Sequence, residues 1–154
     1  MISELVRSAT ILADVHATTK DAAIKELVQA AQNAGIIPKK KASALAKKVG
    51  DRETLGSTGI GNGVAVPHVK SEDVETAHLV FGRVRGGLEW HAIDGRPVHI
   101  LFFLVSPSEA AEAHLRCLRW ISTLARNGDF RRFCLDATDE KALRDLLGEM
   151  VPKE

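Results

Sequence analysis

The chain has 154 residues, of which 45% are hydrophobic and 27% are charged, and this composition predicts one folded domain over residues 1–154 rather than a disordered chain. Its 21 basic and 20 acidic side chains leave a formal net charge of +1, which argues against a dedicated nucleic-acid binder. The longest apolar run, residues 100–105, is too short for a helix that inserts into a membrane.

Helices are predicted in the first third of the chain. Residues 5–15 are apolar with scattered polar positions, which predicts a short helix or strand. After Thr19, a capping residue, apolar side chains recur every three to four positions as far as Gly35, so a helix is predicted there. A second helix is predicted over residues 39–49 and is expected to end at Gly50; its lysines are interpreted as solvated surface.

Strands are predicted in the middle of the chain. Residues 55–63 are too rich in glycine for a regular element. Residues 63–66 predict a short strand that Pro67 ends, because proline cannot donate to a strand ladder. Residues 77–84 and 97–105 predict two longer strands, and the second is almost wholly apolar, as a central strand should be.

Two helices are predicted in the last third. The sequence S-P-S-E at residues 106–109 has the pattern of a capping box with proline at the first helical position, so a helix is expected to start there. It should run to about Arg126 and end at Asn127-Gly128, and a last helix should cover residues 139–150 with Thr138 as its cap. Strands that alternate with helices predict an α/β fold, with a sheet covered by helices on both faces.

The glycine-rich segment L-G-S-T-G-I-G-N-G at residues 55–63 is a candidate phosphate-binding loop. It lacks the lysine of a Walker A motif, the third glycine of the dinucleotide fingerprint and the G-x-S-x-G pattern of a serine hydrolase. The segment leads to His68, beside the hydroxyls of Ser57 and Thr58. His68 could therefore act as a nucleophile with hydrogen-bond donors around it, or it could simply pack after a strand.

Six histidines and two cysteines are the other candidates for chemistry. His114 is predicted on the apolar stripe of its helix, together with Ile121, where a histidine is ordinarily a core residue. No H-E-x-x-H or C-x-x-C pattern indicates a zinc site, but Cys117 follows His114 by three residues, so a metal-dependent hydrolase using His68, His114 and Cys117 stays open as an alternative. Two cysteines provide no disulfide framework, which predicts a cytoplasmic location.

The segment R-E-T-L-G-S-T-G-I-G-N-G-V-A-V-P-H, residues 52–68, closely resembles the active-site segment of the type-2 enzyme IIA domains of the bacterial phosphoenolpyruvate-dependent phosphotransferase system. That family includes fructose, mannitol and nitrogen-regulatory IIA proteins, and S-T-G-I-G-N-G is most similar to the nitrogen-regulatory branch. The resemblance covers about residues 10–150 and includes T-K-D-A-A-I at residues 19–24, G-L-E-W at residues 87–90 and His114-Leu115.

This resemblance implies a mixed β-sheet between helices and a phosphoryl-relay protein that uses neither a metal nor another cofactor. His68 would be phosphorylated by an HPr-like phosphocarrier, and His114 and Arg52 would assist. The expected role is regulatory, of the nitrogen type, or the transfer of phosphate to a sugar-specific IIB domain; a transporter or a sensor kinase is a further candidate partner. The predicted phosphoryl-binding loop comprises Ser57, Thr58, Gly59 and Gly61.

Val69 departs from the family pattern, which usually has glycine or another small residue directly after the Pro-His pair. A stiff β-branched side chain at this position would crowd the approach of a carrier. This feature favours a rival function, an interaction module of the same fold that no longer transfers phosphate. A weak dimer is compatible with either function.

Overall fold

The structure is a computed structural model and describes residues 1–153. A mixed six-stranded β-sheet forms its centre. Its strands are β1 (Thr10–Leu12), β2 (Gly59–Gly61), β3 (Val64–Ala65), β4 (His68–Ser71), β5 (His78–Leu88) and β6 (Val98–Pro107). Its helices are α1 (Ile2–Arg7), α2 (Lys20–Asn33), α3 (Lys39–Thr54), α4 (Ala111–Ala125), α5 (Gly128–Asp136) and α6 (Glu140–Glu149). Within residues 1–153, no helix combines the length and the apolar character that a membrane crossing needs.

Strand β6 is the centre of the sheet, and nearly all of its side chains are buried. β5 pairs with it in the antiparallel direction along one edge, and β3 and β4 pair with it in the parallel direction along the other. β1 lies beyond β5, and β2 lies beyond β3. The prediction of a buried central strand over residues 97–105 is confirmed.

β3 and β4 lie end to end along the same edge of β6, and only Val66 and Pro67 separate them. Pro67 has no N–H to donate, so the ladder is interrupted there, but its carbonyl accepts a hydrogen bond from Leu104 N at 3.0 Å. The chain therefore stays extended and resumes pairing at His68. Pro67 ends β3 as predicted, whereas the sequence pattern does not predict β4.

Helices cover both faces of the sheet, which confirms the predicted fold class. One apolar cluster joins α2 and α3 to strand residues such as Phe103 and Val105. The other joins α1, α4, α5 and α6 to strand residues such as Phe102 and Leu104. Because alternate side chains of β6 enter opposite clusters, one strand anchors both layers of helices.

The predicted start of a helix at residues 106–109 is wrong. β6 continues through this segment to Pro107, and α4 begins only at Ala111, with Ala110 as an N-cap that makes no side-chain hydrogen bond. Ser106 is fully buried and pairs with Lys70 of β4. Pairing and burial in the sheet therefore outweigh a local capping signal, which acts only at a helix end.

Two further boundaries in the last third differ from the prediction. Asn127 does not only follow α4: its side chain accepts a hydrogen bond from Phe130 N at 3.0 Å and caps α5, a helix that the sequence pattern does not predict. The cap of α6 is Asp139 rather than Thr138, with Ala142 N donating to its carboxylate at 2.9 Å. Both differences follow from the strong N-cap preference of Asn and Asp.

The remaining differences lie in the first half of the chain. The segment predicted as a short helix or strand forms both, first α1 and then β1. Helix α3 continues past Gly50 to Thr54, because Val49 and Glu53 are buried on the same side as Leu45 and this packing outweighs the low helix propensity of glycine. The glycine-rich segment contains β2, a short strand paired with β3. Thr19 caps α2 as predicted, accepting a hydrogen bond from Ala22 N.

Candidate active site

His68 is the first residue of β4, and its ring is fixed by the main chain. Its Nδ1 lies 2.7 Å from the carbonyl oxygen of Val66. A carbonyl can only accept a hydrogen bond, so Nδ1 carries the proton and the neutral ring has its lone pair on Nε2. Within residues 1–153, no hydrogen bond occupies that Nε2. The ring therefore presents an unprotonated nitrogen that can act as a nucleophile.

The sheet determines which way His68 faces. His68 lies opposite Leu104 of β6, which lies opposite Leu79 of β5. Both leucines belong to the cluster on the α4 side of the sheet, so the imidazole shares that face. The half-buried ring thus lies at the edge of the sheet next to the first turn of α4.

His114 faces His68 from that first turn of α4. The two ring centroids are 5.4 Å apart and the ring planes are tilted by 53°. His114 is only 6% exposed, and its Nδ1 lies 2.7 Å from the hydroxyl of Ser106. Burial lowers the pKa of His114, and the neighbouring His68 and Lys70 lower it further. A neutral His114 beside His68 follows, and the helix prediction that put His114 on a sheet-facing stripe is confirmed.

Lys70 adds a positive charge to this pair of histidines. It follows His68 by two residues in β4, so the two side chains share one face of the strand. Its main chain pairs with Ser106, the residue whose hydroxyl contacts His114. Sequence reasoning missed Lys70, although the alternation of side chains along a strand that starts at His68 would have found it.

Arg52 lies in the last turn of α3 and is exposed. Its Nη1 donates a hydrogen bond to the carbonyl of Gly56 at 2.8 Å. The described residues show no hydrogen bond or ion pair between Arg52 and either His68 or His114. In this structure Arg52 therefore holds the start of the glycine-rich segment.

The buried carboxylate of Glu53 also holds the glycine-rich segment in place. Glu53 is 8% exposed and accepts hydrogen bonds from Thr58 N at 3.1 Å, from the Thr58 hydroxyl and from Trp90 Nε1 at 3.1 Å. Lys20 Nζ forms an ion pair with it at 2.8 Å. These partners satisfy the charge that burial would otherwise make unfavourable. Sequence reasoning missed Glu53 and Lys20, because nothing in the pattern shows that two charged residues 33 positions apart meet in the interior.

The predicted phosphoryl-binding loop uses most of its polar groups within the molecule. The Ser57 hydroxyl donates to the carbonyl of Trp90 at 3.0 Å and accepts from Gly59 N at 3.0 Å. A Cβ on Gly59 would lie 2.7 Å from the Cβ of Ala92, so only glycine fits there. Gly61 has a φ of +94°, which also favours glycine. These contacts shape the segment, and a direct bond from Ser57, Thr58, Gly59 or Gly61 to a phosphoryl group stays a prediction.

Val69 does not crowd the histidine pair. Its side chain is 6% exposed and packs in the α2 and α3 cluster together with Val105, opposite which it lies in the sheet. His68 faces the other side. Val69, the residue that favoured an interaction module without phosphoryl transfer, is therefore a core residue.

The residues of the proposed metal site do not meet as a group. Cys117 is fully buried in the apolar cluster on the α4 side. Within residues 1–153, no three or more His, Cys, Asp or Glu side chains are arranged to hold a metal ion. No observation of the geometry supports the metal-dependent hydrolase.

Comparison with known protein families identifies the family of this chain. The family model described as "Phosphoenolpyruvate-dependent sugar phosphotransferase system, EIIA 2" matches residues 4–150. The chain belongs to this family. The predicted resemblance is thereby confirmed, and the chain is a component of the phosphotransferase system.

Relatives of this EIIA 2 chain come from both the sugar and the nitrogen branches. The fructose-specific EIIABC component of Bacillus subtilis is 32% identical over 148 residues, which are 96% of this chain but only 23% of that protein, so the chain spans about a quarter of it. A nitrogen regulatory protein of Bradyrhizobium diazoefficiens is 31% identical over 146 residues, covering 95% of this chain and 94% of that protein.

Solved structures share the fold of this EIIA 2 chain. Nitrogen regulatory protein IIA-Ntr of Neisseria meningitidis matches with a TM-score of 0.77 and 27% identity, covering 95% of this chain and 98% of that one. A complex of mannitol enzyme IIA with phosphorylated enzyme IIB of Escherichia coli matches with a TM-score of 0.74 and 18% identity, covering 91% of this chain and 94% of the matched chain. The second likeness concerns the fold alone.

Proposed function

We propose that the chain relays phosphoryl groups through His68. One observation carries the proposal: Nδ1 of His68 donates to the Val66 carbonyl, so the unprotonated Nε2 is left available, on a ring whose centroid is 5.4 Å from that of His114. A histidine that is to accept a phosphoryl group needs such a free lone pair. The description of the family as part of a phosphotransferase system supports phosphoryl transfer by this chain.

The transfer step starts from a phosphohistidine on an HPr-like carrier, which would meet the chain in the cytoplasm. The lone pair of His68 Nε2 forms the new bond to phosphorus. The bond between phosphorus and the carrier's imidazole nitrogen breaks, and its electron pair returns to that nitrogen. His68 neither gains nor loses a proton, because Nε2 carries none and Nδ1 keeps its own. Two imidazoles exchange the group, so the step is close to balanced in free energy and needs no cofactor.

Positive and hydrogen-bonding groups around the ring stabilise the transferred charge. Lys70 shares the face of β4 with His68, and His114 lies against the ring. A protein that transfers a phosphoryl group works mainly by positioning and by such electrostatic stabilisation. Arg52 would join them by exchanging the Gly56 carbonyl for a phosphoryl oxygen, a movement that its exposed position allows.

Three exposed apolar side chains, on segments that adjoin the glycine-rich segment or α4, are proposed to contact the carrier. Leu55 is 84% exposed directly after α3, and Leu115, next to His114, is 51% exposed. Ile93 is 80% exposed, and its N–H donates to the carbonyl of Gly59 in the glycine-rich segment. Exposed apolar side chains that come together as one patch favour contact with another protein, and we propose that these three do so when the carrier binds.

Two destinations for the phosphoryl group follow from the relatives. Nitrogen regulatory proteins of similar length support a regulatory output, with a transporter or sensor kinase as the target. The fructose-specific relative and the mannitol complex support a IIB domain as acceptor. Either destination uses the same phosphorylated His68.

Labelling with phosphoenolpyruvate tests the relay. The protein is incubated with labelled phosphoenolpyruvate, enzyme I and an HPr-type carrier, and acid-labile label is measured. We expect label on the unaltered protein and none on His68→Gln. His99→Gln is the matched control, because His99 is also a half-buried strand residue whose Nδ1 lies close to a carbonyl, that of Val84, at 3.0 Å; it should be labelled normally.

Two results would contradict the proposal. One is label that persists in His68→Gln. The other is the absence of label on the unaltered protein with each of several carriers, which would leave the interaction module as the better description.

A further inference from the structure

Ser106 is a buried polar residue that the proposed relay does not use. It has no exposed surface and lies next to the end of β6, where its main chain pairs with Lys70 of β4. Its hydroxyl lies 2.7 Å from Nδ1 of His114. Among residues 1–153, this nitrogen is the only hydrogen-bond partner of the hydroxyl.

The direction of this hydrogen bond follows from counting donors. A serine hydroxyl has one hydrogen to donate and two lone pairs that can accept. If His114 Nδ1–H donated to Ser106, the buried hydroxyl hydrogen would have no acceptor among the described residues. If Ser106 donates to a bare Nδ1, every buried hydrogen of the pair has a partner. A buried donor without an acceptor is the costlier arrangement, so the hydroxyl donates.

We propose that Ser106 is a positioning residue that holds His114 in the tautomer with its proton on Nε2. No hydrogen bond within residues 1–153 occupies that Nε2. Its N–H is then free to donate to an oxygen of the phosphoryl group on His68, whose ring centroid is 5.4 Å away. The inference rests on the proposed function, because the donor matters only if His68 carries a phosphoryl group.

The tautomer matters because His114 is neutral. Its pKa is lowered by burial and by the neighbouring His68 and Lys70, so the ring has one N–H rather than two near neutral pH. With the proton on Nε2, the ring offers a donor to an anionic oxygen. With the proton on Nδ1, it would present a lone pair that repels the same oxygen. The hydroxyl of Ser106 decides between these cases, and the strand backbone fixes its position.

Nitrogen-15 NMR of the unphosphorylated protein tests the assignment directly. The two ring nitrogens of His114, identified by their loss in His114→Gln, are expected to show a pyridine-type Nδ1 and a pyrrole-type Nε2. Ser106→Ala should remove this preference, and Ser106→Thr, which keeps the hydroxyl, should restore it. Ser71→Ala is the matched control, because Ser71 is a buried strand serine that contacts Asp73 rather than a histidine. A pyrrole-type Nδ1 in the unaltered protein, or an unchanged tautomer in Ser106→Ala, would overturn the proposal.

The rate of label transfer to His68 provides the second readout. We expect Ser106→Ala to slow labelling about tenfold, with Ser106→Thr and Ser71→Ala close to the unaltered rate. Equal rates for the unaltered protein and Ser106→Ala would contradict the role of Ser106 alone. Failure of the unaltered protein to be labelled would contradict the proposed function instead, while the NMR result would stand by itself.

Discussion

At the scale of single residues, the two histidines of the site are held through the same ring atom by different partners. Nδ1 of His68 meets a main-chain carbonyl, which can only accept. Nδ1 of His114 meets a hydroxyl, which can also donate. In the proposed relay, these contacts prepare the His68 ring as a nucleophile and the His114 ring as a donor. The division of labour between two identical side chains comes from their surroundings.

The lowered pKa of His114 makes the stability of the fold depend on pH. The unfolded chain binds a proton at His114 more readily than the folded protein does, so this contribution is complete above the unfolded value of about 6.5 and is lost as the pH falls below it. We expect the free energy of unfolding to fall between pH 7.5 and pH 5.5, and to fall less in His114→Gln. Urea unfolding at both pH values measures the difference.

His78 makes a second, independent contribution to the pH dependence of stability. Burial lowers its pKa as well, so it contributes in the same direction from the other face of the sheet. His78→Gln should reduce the pH dependence independently, and the two effects should add, since the residues share no partner. An unchanged pH dependence in His114→Gln would contradict the assignment of a buried, neutral ring.

At the scale of elements, the network around Glu53 joins four parts of the chain. It connects α2 through Lys20, α3 through Glu53 itself, the glycine-rich segment through Thr58, and the turn after β5 through Trp90. Lys20 also donates to the carbonyl of Trp90 at 3.1 Å and lies over its ring, 5.1 Å from the centroid. The segment that leads to His68 is therefore held by interior contacts rather than by its own glycines.

Removing the charge of Glu53 should destabilise the fold. Glu53→Gln leaves the Lys20 ammonium without its anionic partner in the interior, and we expect the free energy of unfolding to fall by about 3 kcal/mol. Asp51→Asn is the matched control in the same helix, because its ion pair with Lys47 is exposed and should contribute almost nothing. Denaturant unfolding of both variants measures the contrast, and equal stabilities would show that the network carries no net energy.

The sequence predicts the elements well where local signals and packing agree. Thr19 caps α2, and the apolar run at residues 100–105 lies in the central strand. The prediction fails at Ser106, whose cap pattern is intact but whose position is decided by pairing with β4. Ser106, Glu53 and Lys20 are placed by contacts between separate elements, such as Ser106 with Lys70 and Lys20 with Glu53, which no local sequence pattern contains.

At the scale of the whole molecule, the sheet places the histidine pair on its α4 side and the packing of α2 and α3 on its other side. Val69 packs with α2 and α3, while its neighbour His68 faces α4. The alternation of side chains along a strand explains why a bulky residue directly after His68 is tolerated. Which of the two residues faces α4 depends on how β4 pairs with β6, and the sequence alone does not give this pairing.

Phosphorylation should change the sign of the net charge. A phosphoryl group adds roughly −1.5 to −2 at pH 7, which carries the chain from its formal +1 to about −1. We expect native isoelectric focusing after labelling to resolve a second, more acidic band. The band should be absent in His68→Gln and should disappear after acid treatment; an acidic band in that variant would place the modification elsewhere.

The bond between His68 and the Val66 carbonyl has a consequence for the direction of the relay. In the proposed relay, a ring phosphorylated on Nε2 still has its proton on Nδ1, so the same carbonyl serves the empty and the loaded states. The surroundings of Nδ1 do not have to rearrange when the phosphoryl group is accepted or passed on. Acceptance and donation of the group can therefore follow the same steps in opposite directions. Such a protein can transfer phosphoryl groups in either direction, and the ratio of phosphorylated to unphosphorylated carriers sets the net direction.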